Sequence, residues 1–151
     1  MMIKKISNLI LSSIIFLITI TLITSQLAAE PKEIGWNDLI PWTAVFNPSE
    51  VKFNKRLDGK NIKIPGYLIP LEFEAKSISE FMLVPYIGAC IHVPPPPANQ
   101  LIYVVTEQLW REKSMWEPVW VSGVIKINAN ETYIAESGYE IIADKIKIYE
   151  Y

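Results

Sequence analysis

The chain has 151 residues, half of them hydrophobic, with 14 basic and 16 acidic side chains and a net charge of −2. That length suits a single domain once any targeting segment is set aside. The absence of a basic stripe argues against nucleic acid as a partner, and a single cysteine, Cys90, excludes an internal disulfide.

Residues 1–29 read as a signal peptide. Lys4 and Lys5 give a positive start, an apolar run extends from Ile6 to Ile23, and the small-residue region Ser25-Gln26-Leu27-Ala28-Ala29 precedes Glu30-Pro31. This three-part pattern is that of an exported chain cleaved near Ala29. The run is also close to the shortest that can span a bilayer, so a retained anchor is the alternative. After cleavage no membrane span is expected. No cysteine follows the run, which leaves no site for a lipoprotein anchor. The expected location is the periplasm, and the exported part carries 12 basic against 16 acidic residues.

Residues 30–56 form an irregular N-terminal strap. Pro31, Pro41 and Pro48 interrupt it, and Trp36, Leu39, Ile40, Trp42, Val45 and Phe46 supply apolar anchors for covering one end of the fold. Asp58-Gly59 is a turn signal. From there to residue 151 the pattern is that of a β domain. Ile62, Ile64, Tyr67, Ile69, Leu71 and Phe73 alternate, with a change of phase at Pro65-Gly66 that suggests a bulge or bend. Phe81-Met82-Leu83-Val84, Leu101–Thr106, Val119–Ile127 around Gly123, and Tyr139–Tyr149 complete five strands. One helical turn is expected over Lys76–Phe81 with Ser77 as cap. Glu107–Trp116 suits either a helix or a loop. Asn130-Glu131-Thr132 marks a hairpin turn. The fold class is mainly β, a small OB-like five-stranded barrel, with a β-sandwich as the alternative.

The segment between the second and third strands concentrates the chemistry. It reads Gly88-Ala89-Cys90-Ile91-His92-Val93, followed by Pro94-Pro95-Pro96-Pro97-Ala98-Asn99-Gln100, and holds the only cysteine and the only histidine. In extended backbone, positions i and i+2 share a face, so thiol and imidazole would emerge side by side. Four prolines lack N–H donors and favour a stiff polyproline conformation beside the pair. A thiolate and an imidazole suit zinc or copper(I). Two ligands do not close a site, and Asp38, Glu72, Glu74, Met82 or a partner protein are the candidates for the remainder. Two other readings stand beside this one. In one, His92 activates Cys90 as a nucleophile, with Asn99 as orienter. In the other, Cys90 is a core residue and His92 a hydrogen-bonded support. Trp110, Trp116 and Trp120 with Tyr103 fit core and rim better than an aromatic binding face.

Several runs carry a family resemblance. They are Leu57-Asp58-Gly59-Lys60 with Ile64-Pro65-Gly66-Tyr67-Leu68-Ile69-Pro70-Leu71-Glu72-Phe73, the stretch from Leu83 to Gln100, Pro118-Val119-Trp120-Val121-Ser122-Gly123, and Ser137-Gly138-Tyr139. Together they resemble an uncharacterised family of bacterial exported proteins, domain-of-unknown-function family 3299, over about residues 35–151. The resemblance implies a bacterial envelope location. It also implies a link to ABC-type transporter components and zinc supply, and hence an envelope transporter or periplasmic protein as partner. A periplasmic adaptor or structural protein that docks to a membrane complex without a metal is the alternative function. No catalytic residues are assigned.

Overall fold

A computed structural model describes residues 30–41, 51–72, 77–89, 96–110 and 116–150. Six strands are present: β1 (Lys32–Glu33), β2 (Lys60–Pro70), β3 (Ile78–Val84), β4 (Ile102–Trp110), β5 (Glu117–Glu131) and β6 (Glu136–Ile148). Short 3₁₀ turns occupy Trp36–Leu39 and Ala98–Gln100. The chain is therefore mainly β, as its alternating apolar pattern requires. All of these elements belong to one compact unit, Pro31–Tyr151.

The hydrogen bonding closes on itself. Strand order is β1-β2-β3-β4-β6-β5, and β5 pairs again with β2. The first long strand serves both sides: residues 67–70 of β2 pair with β3, and residues 60–68 pair with β5. Among the five long strands only β4 and β6 run parallel. This ring order and its shared first strand are those of the OB-like arrangement. One strand was not foreseen. Lys32 and Glu33 in the strap pair in parallel with Ile62 and Lys63, extending the sheet by two residues.

The expected bulge at Pro65-Gly66 is absent. The β2–β5 register runs unbroken from Lys60↔Ile125 to Leu68↔Glu117. The apparent change of phase has a different cause: this strand is apolar on both faces. Ile62, Ile64 and Leu68 enter the main core with Phe81, Leu83, Ile102, Val104, Val121 and Tyr139. Tyr67 and Ile69 point the other way, to a second, smaller cluster with Met82, Val84, Ala89 and Leu101. Proline is tolerated at position 65 because one edge of β2 has no ladder partner there, between the residues that pair with β1 and those that pair with β3, so no N–H is needed on that edge. Trp36 Nε1 donates to the Pro65 carbonyl at 2.7 Å. Gly66 is needed for close approach. A Cβ there would stand 2.8 Å from Leu83 Cγ.

True register shifts lie elsewhere, between Ile78 and Glu80, between Ser122 and Gly123, and between Ile127 and Asn130. The second leaves Asp144 as an extra residue on β6, so Ala143 and Ile146 both reach the core. Gly123 sits at that bulge because a side chain would overlap the Ile142 carbonyl.

Two helical expectations are overturned. Ile78–Phe81 already belongs to β3, and Glu107–Trp110 continues β4, with Trp110 opposite Ile78. Helix-compatible residues there are drawn into pairing by their neighbours, as tertiary context overrides local propensity. The hairpin turn after Asn130 is present. Thr132 Oγ1 donates to Ala135 O at 2.8 Å and accepts the Ala135 amide at 3.2 Å.

Candidate functional site

The connection between β3 and β4 is fixed at both ends. Gly88 turns it with φ +87°, and Ala89 is fully buried in the second cluster beside Met82 and Val84. At the far end Pro96 and Asn99 are buried, and Leu101 joins the same cluster. Asn99 Nδ2 donates to Lys52 O at 2.9 Å, and Gln100 Nε2 donates to Trp36 O at 3.1 Å. Both side-chain amides thus grip the backbone of the strap. The side-chain oxygen of Asn99, Oδ1, is buried with no hydrogen-bond partner among the described residues. A buried amide acceptor left open in this way is costly unless something donates to it.

Cys90 and His92 themselves lie outside the described residues, as does Glu74. The other candidate ligands have structural work. Asp38 Oδ2 accepts the Gly35 amide at 2.8 Å, closing the first 3₁₀ turn. Glu72 accepts both the amide and the hydroxyl of Ser79, at 2.8 and 3.1 Å. Met82 is fully buried in the second cluster. Among the described residues no three of His, Cys, Asp and Glu stand together as a metal-binding group.

The aromatic residues divide as core and rim. Trp110 packs on the main core and Trp116 on the second cluster. Trp120 stacks on Tyr149 at 5.2 Å, and the Lys63 ammonium lies 3.9 Å from a Trp120 ring centroid. Tyr103 Oη donates to Glu80 Oε2 at 2.6 Å. Burial, then this bond, then the nearby carboxylates of Glu80, Glu140 and Glu72 hold its phenol well above the ordinary range. It stays a neutral donor.

Sequence reasoning passed over the loop from Lys52 to Arg56. Four cations, Lys52, Lys55, Arg56 and Lys60, fall within nine residues at the i, i+3, i+4, i+8 spacing of one helix face, yet the segment is loop and turn rather than helix. The structure shows what holds them. Asn54 N donates to Tyr139 Oη at 2.6 Å, and Tyr139 Oη donates onward to Leu39 O at 2.8 Å. Phe53 meets the Tyr139 ring edge-on at 5.4 Å and lies over Gly138, where any side chain would overlap its ring. The Ser137-Gly138-Tyr139 run is therefore a clamp for this loop.

With this geometry in view, comparison with known proteins decides the family. The family model described as protein of unknown function DUF3299 matches residues 36–148. The chain belongs to that family. A DUF3299 family protein from Pseudomonas aeruginosa is similar in structure, with TM-score 0.70 and 37% identity over 82% of this chain and 99% of its own. A protein from Leishmania major assigned as an aspartyl-tRNA synthetase aligns with TM-score 0.40 and 13% identity, over 82% of this chain and 22% of its own. None of the curated proteins matches.

Proposed function

We propose that this DUF3299 protein is a periplasmic metal-binding protein that takes zinc or copper(I) through the Cys90 thiolate and the His92 imidazole. We further propose that it is accessory to an envelope ABC-type metal transport system. The N-terminal pattern of positive start, apolar run and small residues supports export. The observation that carries the metal reading is the anchoring of the connection: Ala89 and Leu101 are buried on one cluster, and Asn99 Oδ1 is a buried acceptor with no donor among the described residues. A ligating imidazole commonly donates its second N–H to such an acceptor, which fixes its orientation. The donor pair is soft to borderline and suits both ions. Two protein ligands leave positions for a partner's groups, which suits a protein that hands its ion on.

Titration of the purified protein with Zn²⁺ and Cu⁺ tests this. Binding at micromolar or tighter concentrations is expected, and it is lost in Cys90→Ala and in His92→Ala. Undiminished binding in both variants rejects the site. The adaptor reading draws on Tyr86 and Ile87, which are 48% and 63% exposed at the start of the same connection. It predicts no response to either ion.

A further inference from the structure

The cations of the 52–56 loop line an open cavity of about 750 Å³. Lys52, Lys55 and Arg56 stand on its wall, and Phe53, Ile127 and Pro41 give it apolar surface. That volume falls in the range of small-molecule sites, about 300–1,000 Å³. Lys55 and Arg56 are exposed and make no ion pair among the described residues. Of the acidic residues near the loop, Asp38 accepts the Gly35 amide and Asp58 accepts the Ile127 amide at 3.0 Å, while Glu50 lies outside the described residues.

A cluster of like charges repels itself, and a mobile loop would relieve that by spreading. This loop is prevented from doing so. Tyr139 holds the Asn54 amide, Asn54 Nδ2 donates to Asp38 O at 2.7 Å, Asn99 holds Lys52 O, and Gly138 seats Phe53. Positive charge is thus kept concentrated at a preorganised cavity, in a chain whose net charge is negative.

We infer that this cavity binds a phosphate-bearing ligand, with the phosphate on Lys55 and Arg56 and an apolar portion against Phe53 and Ile127. An ammonium and a guanidinium side by side on one wall match a group that carries more than one negative charge, and the guanidinium fork matches phosphate oxygens in pairs. The ligand chemistry has two sources, a free phosphate compound or a phospholipid headgroup. The inference is independent of the metal reading, since it uses neither Cys90 nor His92.

Amide NMR of the purified protein tests it with two probes: inorganic phosphate, and submicellar dihexanoyl phosphatidic acid. Either probe is expected to shift the amides of residues 52–57 saturably. Response to both, or to inorganic phosphate alone, identifies a soluble source; response to the short-chain lipid alone identifies a headgroup with its acyl chain. In the surface double variant Lys55→Ala/Arg56→Ala, affinity should fall by at least about tenfold. Lys145→Ala/Lys147→Ala, on exposed positions of β6, should bind as the parent does. Silence from both probes, an equal response to acetate at matched ionic strength, or unchanged affinity in the 55/56 variant overturns the proposal.

Discussion

The loop from Lys52 to Gly59, which carries a cluster of cations, and the two described ends of the connection from Pro85 to Leu101, which flank Cys90 and His92, are held in different ways. The loop is secured along its length. Asn54 N, Arg56 N, Leu57 N and Gly59 N all donate to protein acceptors, and Leu57 is buried. The connection is secured at its ends. Ala89 N meets Tyr86 O only at 3.4 Å, and Gln100 N donates to Pro97 O at 2.7 Å. The difference teaches that local rigidity here follows from contacts distant in sequence, since Tyr139 and Gly138 lie more than eighty residues from the loop they clamp. Asn99 joins the two regions through Lys52 O.

The comparison can be broken most severely at Gly138. Gly138→Ala places a methyl group in the Phe53 ring, and overpacking of this kind is expected to cost about 3 kcal/mol. Hydrogen exchange should show protection at Asn54 and Leu57 collapsing, while Gly88 and Ala89 exchange as before. Equal loosening of both regions would show that they are one cooperative unit.

A smaller effect is expected from Tyr139→Phe. It removes a donor from buried Leu39 O and an acceptor from Asn54 N, at a cost of about 2 kcal/mol measured by denaturant unfolding. The same variant sharpens the pH behaviour. Burial raises the Tyr139 phenol above its ordinary value of 10.0, with the Asn54 amide opposing in part. Below that ordinary value the phenol is protonated in both folded and unfolded chains, and its contribution is fully present. As pH rises past it, the unfolded chain ionises first and stability is lost. The decline above pH 10 should be shallower in Tyr139→Phe, and identical slopes would remove Tyr139 from that account.

Much of the fold was legible. Alternation located all five long strands. The error at Pro65-Gly66 arose because hydropathy cannot distinguish a strand that changes phase from one that is apolar on both faces. Tyr67 and Ile69 serve a second cluster that forms only once Ala89, Leu101 and Trp116 arrive from distant segments. Glu107–Trp110 was ambiguous because its pairing partner, Ile78, lies beyond a register shift. The residue types and the two-residue spacing of Cys90 and His92 were legible, and both residues lie outside the described ones. Their surroundings were not, since the anchors of the connection are backbone groups of Lys52 and Trp36, which leave no mark in composition. The clamp on the basic loop was hidden for the same reason: it acts through a tyrosine hydroxyl and the missing side chain of a glycine.

The central claim is that a thiolate and an imidazole two residues apart share one ion. Cobalt(II) substitution tests it most directly, because thiolate ligation produces an intense sulfur-to-cobalt charge-transfer band that other ligands do not give. The account predicts that band in the parent protein, its loss in Cys90→Ser, and a changed ligand-field spectrum in His92→Ala. A band that survives in Cys90→Ser, or no band at saturating cobalt, would contradict it.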